Sequence, residues 1–225
     1  MAESILVSEI IDLVRDKTDL QDTQFITEAE LIRYINSSWK ELYGLIVDTE
    51  DSYYLTSQNV SIVSGTDIYS LPTDFYKLKG IDINITSTRA ITAQPFNFKE
   101  RNRKNYIGNF NFQYRYILRG DNVQFLPEPN SNRTATIWYI PRPATITATT
   151  DTINTVNGGY KWLVADVCVA VANKEESDPS VYIAEREKTE RRIIDSFAAR
   201  DSDFAPTVTD VSNINDYWYW GGDDF

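Results

Sequence analysis

Apolar positions recur at two different periods along this chain, and the change of period divides it. Leu6, Ile10, Leu13 and Val14 share one helical face, and Ser4 stands where an N-cap belongs. A polar connection, residues 16–24, follows. Thr27 and Glu30 then have the spacing of a capping box, with Ile26 and Leu31 placed as a hydrophobic staple. Leu31, Tyr34, Ile35, Leu42, Leu45 and Ile46 continue at helical spacing, interrupted only by Ser38.

From about Tyr53 the period falls to two. Val60, Ile62 and Ile68 flank Ser64-Gly65, which predicts a tight hairpin turn. A strand ends at Ile68-Tyr69-Ser70-Leu71-Pro72, and Ile81, Ile83 and Ile85 alternate with Asp82 and Asn84. Tyr114 to Leu118 and Val123 to Leu126 flank Arg119-Gly120-Asp121-Asn122, a second hairpin signal. Thr136 to Ile140 is a further strand, stopped by Pro141-Arg142-Pro143. The Thr-rich stretch from Thr145 to Thr155 reads as a loop or an edge strand.

Helical spacing returns after Gly158-Gly159, at Tyr160, Leu163, Val164, Val167, Cys168 and Val171. Asp178 and Pro179 open a last helix as N-cap and first residue. Its centre, Glu185 to Arg192, is almost entirely charged and predicts weak docking and an exposed charged face, with Glu187 and Arg191 as an i, i+4 pair. Beyond about Asp201 no period is visible. The layout implies an α+β fold: a helical bundle built from the N- and C-terminal halves, an inserted antiparallel β module and an extended C-terminal arm. The expected units are 1–50 and 157–200 for the two halves of the bundle, 51–156 for the β module and 201–225 for the arm.

Composition narrows the function classes. The chain has 225 residues, enough for one domain or two small ones, with 22 Lys and Arg against 33 Asp and Glu, a net charge of -11. That balance opposes tight wrapping of nucleic acid, which needs phosphates neutralised. The absence of His removes the usual general base and the commonest metal ligand. Cys168 is the single cysteine, and its place in a helical stripe predicts a small core residue. No cofactor or metal is expected. No apolar run reaches membrane-spanning length, so a soluble, reducing compartment is the expectation.

Three clusters carry candidate chemistry. Tyr217, Trp218, Tyr219 and Trp220 stand near the terminal Phe225 in an acidic setting. Trp and Tyr are preferred anchors of protein interfaces, so this run predicts docking to another chain. In an extended strand Tyr217 and Tyr219 would face one way, Trp218 and Trp220 the other, as suits strand addition or a groove. Lys99, Arg101, Arg103 and Lys104 precede Tyr106, Phe110, Phe112, Tyr114 and Tyr116. Basic residues beside aromatics can bind single-stranded nucleic acid. The plainer reading is a surface loop or short helix leading into a core strand, and in an acidic oligomer the same cations, with Arg186 and Arg191, would meet an acidic face of the next subunit. Asp48, Glu50 and Asp51, then Glu175, Glu176 and Asp178, then Asp201 and Asp203, offer carboxylate pairs of the kind that cleave glycans, although solvated charge explains them as well.

The order of motifs resembles the head-to-tail adaptor (connector) proteins of short-tailed and related tailed bacteriophages. The resemblance lies in Thr27-x-x-Glu30-Leu31-Ile32-Arg33-Tyr34-Ile35-Asn36 with Trp39 and Leu42, and in Ile68-Tyr69-Ser70-Leu71-Pro72-x-Asp74-Phe75. It continues in Val123-Gln124-Phe125-Leu126-Pro127-x-Pro129, Tyr139-x-Pro141 and a late helix near Tyr160. It implies a virion structural protein with no enzymatic activity, forming a ring, usually of twelve copies, between portal and tail or nozzle. DNA would pass through its channel without specific binding, which a negative wall favours. The C-terminal segment of such proteins often docks on the portal. A virion-associated glycan hydrolase and a single-strand nucleic-acid binder are the rival readings.

Overall fold

A computed structural model of the chain describes residues 2–20, 25–86, 88–97 and 114–200. Strand β1 (Ala2–Leu6) runs directly into helix α1 (Val7–Thr18), and α2 (Glu28–Thr49) follows. Then come β2 (Thr56–Ile62), β3 (Ile68–Ser70), β4 (Phe75–Thr86), β5 (Arg89–Thr92) and β6 (Gln94–Pro95). β7 (Arg115–Arg119), β8 (Asn122–Leu126), β9 (Arg133–Pro141) and β10 (Thr152–Val156) precede α3 (Gly159–Lys174) and α4 (Ser180–Arg200).

The expectation of a helical bundle with an inserted β module is overturned. Among the described residues the fold mixes four helices with three sheets and is rich in strand, and the helices do not close into a bundle by themselves. The reason lies in what completes their core. Ile5 of β1, Ile140 at the end of β9, Ile146, and Ile153 and Val156 of β10 are buried with Leu31, Ile35, Leu42, Leu163 and Val167. Strand residues supply a wall that a bundle would build from helix.

The first residues show how. Ala2 to Leu6 pair antiparallel with Val156 to Thr152, so the predicted cap at Ser4 lies inside a strand. α1 begins at Val7 with no side-chain cap. Its first amides are satisfied from the Thr-rich loop: Val7 N donates to Asp151 O and Ser8 N to Thr149 O, both at 3.0 Å. The Asp151 carboxylate organises that loop by accepting from the amides of Thr147 and Ala148 at 2.8 and 3.0 Å. Those bonds hold the Asp151 carboxyl below the usual carboxylate range. α2 does open with the expected capping box, Thr27 with Glu30, and Ile26 and Leu31 are both buried.

The β part is two four-stranded sheets, β2-β9-β4-β5 and β3-β8-β7-β6. All pairings are antiparallel except the short β6–β7 contact. Ile62, Ile81, Ile83, Ala135 and Ile137 of the first sheet share a core with Val123 and Phe125 of the second. The hairpin at Gly120 forms as predicted, with Arg119 opposite Asn122. The hairpin at Ser64-Gly65 does not. Gly65 takes a positive φ, but β2 pairs with β9 and β3 with β8, so the turn passes the chain from one sheet to the other.

β9 ties the two cores together. Tyr139 belongs to the sandwich and Ile140 to the helical core. Where β9 leaves the sheet, Tyr43 of α2 donates its hydroxyl to Pro141 O at 2.6 Å. Lys79 of β4 adds an ion pair to Asp51.

Candidate assembly surfaces

The helical core holds its polar groups inward. Ser38, the one break in the α2 stripe, is buried and donates to Asp166 Oδ2 at 2.7 Å. Asp166 Oδ1 accepts from Arg186 Nη1, also at 2.7 Å. On α4 the charged stretch is only partly a solvent face. Glu185 pairs with Lys17 of α1 at 2.6 Å, and Glu190 accepts from Trp162 Nε1 at 3.2 Å. Arg186 is therefore engaged within its own chain. Arg191 meets Glu187 at 3.9 Å as an i, i+4 pair and is 79% exposed, so it remains accessible to a neighbour.

The outer face of the β2-β9-β4-β5 sheet is different. Alternation sends Ile81, Ile83, Ala135 and Ile137 inward, and their neighbours outward. Outward stand Asn59 on β2, Thr134, Thr136 and Trp138 on β9, Asp82 and Asn84 on β4, and Thr92 on β5. Asp82 accepts from Trp138 Nε1 at 2.8 Å and from Thr92 Oγ1 at 2.7 Å. Thr136 Oγ1 donates to Asn59 Oδ1 at 2.9 Å. These links cross all four strands and hold short, mostly uncharged side chains in place. Trp138 stays 38% exposed in their midst. Ordered short side chains and an anchored indole lose little entropy when covered, which suits a protein interface.

A second surface lies where the helices meet the end of β9. Trp39, Tyr43 and Tyr54 floor a cleft of about 500 Å³ walled by Pro141, Pro143 and Ile146. Tyr43 and Tyr54 stack at 4.4 Å, and Trp39 meets Tyr43 edge-on at 5.6 Å. Burial pushes the Tyr43 phenol up to about 12, so it stays a neutral donor. Asn36 fixes the wall by donating to Ile146 O at 2.7 Å and accepting from Ile146 N at 2.8 Å. Trp39 and Tyr43 sit at i, i+4 on α2, a spacing visible in the sequence, though neither is among the interface residues expected from it.

In the two carboxylate clusters within the described residues, Glu50, Asp51 and Asp178 take structural posts, while Asp201 and Asp203 lie outside the described residues. Asp51 accepts from Lys79, which holds it below its usual range, and Glu50 accepts from Ser52. Asp178 takes the Ser180 amide and hydroxyl at 3.0 and 2.9 Å and is lowered in turn. Both shifts run opposite to the raised carboxyl that protonates a glycosidic oxygen. Burial raises the Cys168 thiol to about 12, as befits a core residue. Among the described residues no group of His, Cys, Asp or Glu could hold a metal ion, and no helix is long and apolar enough to cross a membrane. Tyr217, Trp218, Tyr219, Trp220 and Phe225, and the loop cations Lys99, Arg101, Arg103 and Lys104, lie outside the described residues.

A family model described as SU10 adaptor protein matches residues 5–210. The chain belongs to the SU10 adaptor protein family. No curated protein matches it. The match runs from the end of β1 through both cores to a point past α4, so it covers all of the described fold except the first residues of β1. SU10 adaptor membership makes this chain a bacteriophage adaptor, a structural protein of the virion associated with portal and tail proteins. For an adaptor, the sheet face and the aromatic cleft are surfaces suited to contact.

Proposed function

We propose that this adaptor forms a ring, of twelve copies, between the portal and the tail or nozzle, and that the ring extends the DNA channel. The family match along nearly the whole chain is the observation that carries this reading. The net charge of -11 supports it, because a negative wall repels phosphate and lets DNA slide past without specific binding. Copies assemble in the host cytoplasm onto the portal. Lys99, Arg101, Arg103, Lys104 and Arg191 contribute to contacts between subunits, and the outer sheet face around Trp138 is covered by a neighbouring component. The C-terminal arm docks through Tyr217, Trp218, Tyr219, Trp220 and Phe225, most economically on the portal.

Deletion of the residues after Asp210 tests the docking role. The shortened chain is expected to remain folded and soluble but to fail to join portal in a reconstitution followed by sedimentation. Normal assembly of the shortened chain on portal would remove the docking reading.

A further inference from the structure

We infer that the aromatic cleft beside α2 is the resting place of the chain's own Tyr217–Trp220 run while the subunit is free. This goes beyond the docking reading, which concerns the assembled particle.

Three observations carry it. The first is the cleft itself. At about 500 Å³, with a floor of Trp39, Tyr43 and Tyr54, it is a preformed, ring-lined site of the size that takes a compact apolar ligand. Two rings projecting from one side of an extended segment match that volume and chemistry.

The second is where the chain leaves the fold. Phe197, in the last turns of α4, meets Tyr53 edge-on at 5.6 Å, and Tyr53 meets Tyr54 at 4.8 Å. The remaining 25 residues therefore start two ring contacts from the floor of the cleft. Tyr217 stands 17 positions after Arg200, a length that spans up to about 55 Å when extended and reaches the cleft with slack. A tethered segment of this kind faces the cleft at an effective concentration on the order of millimolar, well above that of any other copy in dilute solution.

The third is charge. Residues 201–225 carry Asp201, Asp203, Asp210, Asp216, Asp223 and Asp224 and no Lys or Arg. The cleft lining holds one cation, the exposed Arg142, whose Nε donates to Phe75 O at 3.0 Å, and one carboxylate, Asp151, which the Thr147 and Ala148 amides keep ionised. Asp216 directly precedes the aromatic run, and Arg142 is the cation of the lining that offers it a partner. Resting there also removes a sticky aromatic surface from the unassembled subunit. Partner binding then competes with the cleft for the run.

Hydrogen exchange of the full-length monomer, read by mass spectrometry, tests this. Amides 215–221 are expected to exchange at least about tenfold more slowly than in an unstructured peptide. Thr145→Glu, an exposed substitution in the cleft lining, should restore the fast rate without altering exchange in α3. The double change Trp218→Ser and Trp220→Ser, which leaves the cleft intact, should do the same. Protection that survives dilution supports the chain's own cleft. Fast exchange in the unaltered monomer, protection indifferent to Thr145→Glu, or protection lost on dilution would each overturn the inference. The docking reading is unaffected by these outcomes, since it falls only if the chain shortened after Asp210 joins portal.

Discussion

The helical core and the β sandwich bury their apolar residues on different scales. Among the described residues the first gathers 25 buried apolar side chains and the second 10. The helical core, walled by residues of β1, β9 and β10, pairs polar residues inward too, as Ser38, Asp166 and Arg186 show. The sandwich keeps one thin layer of Ile, Val, Ala and Phe between two sheets and spends the rest of its surface on outward faces. The deep core supplies a stable body, while the thin sandwich offers broad, ordered polar surface that a neighbour can cover.

Matched cavities should break that symmetry most visibly. Ile35→Ala in the helical core and Ile137→Ala in the sandwich each remove a fully buried Ile and are expected to cost about 2–5 kcal/mol. Their signatures should differ. In urea unfolding, Ile137→Ala should bring forward the loss of Trp138 fluorescence while Trp39 and Trp162 report a later transition. Ile35→Ala should lower both together, because the sandwich leans on α2 through Tyr43 and Pro141. Identical transitions in the two variants would mean that the two cores form one cooperative unit.

A smaller effect sits where strand and helix meet. A Cβ on Gly159 would come to 2.1 Å from Thr155 Oγ1. Gly159→Ala is expected to cost about 1–3 kcal/mol through that overlap. Thr155 Oγ1 is buried without a hydrogen-bond partner, so Thr155→Ala removes the obstacle at little loss. The double variant should recover most of the stability in a thermal melt. Additive losses would show that the close approach of β10 to α3 is not the cause.

The smallest effect is a pH dependence at the Glu30–Lys174 contact of the helical part. Lys174 donates to both Glu30 oxygens at 3.0 Å, and this bond, followed by the Thr27 amide, holds Glu30 below its usual range. A carboxyl lowered by folding adds stability above its unfolded pKa and loses it as pH falls through the folded one. The melting temperature should therefore fall below about pH 4 more steeply in the unaltered chain than in Glu30→Gln. Parallel curves would show that the Lys174 contact contributes nothing.

The two regions also differed in how far they could be read from sequence. Local signals translated directly: the Thr27–Glu30 box, the Gly120 hairpin and the α3 stripe are all present. The pairings that define the fold join distant segments. Nothing local in Ala2 to Leu6 says that Val156 to Thr152 lie opposite, and the helical pattern beginning at Leu6 draws Ser4 into the wrong element. The same holds for β2, whose apolar alternation fits a local hairpin as well as its true partner β9. The interface surfaces were hidden for a related reason. Trp138 and Asp82 become one site only across β9 and β4, and Trp39, Tyr43 and Tyr54 only when Pro141 to Ile146 fold over them. The charged centre of α4 misled because its partners, Lys17, Trp162 and Asp166, lie on other helices.

Electron microscopy of the intact particle, with this chain located by a tag inserted in a surface turn, tests the central claim most directly. The account predicts a closed ring of identical copies between portal and tail, with the outer β2-β9-β4-β5 face against a neighbour. Scattered copies, or a position away from the portal–tail junction, would contradict it.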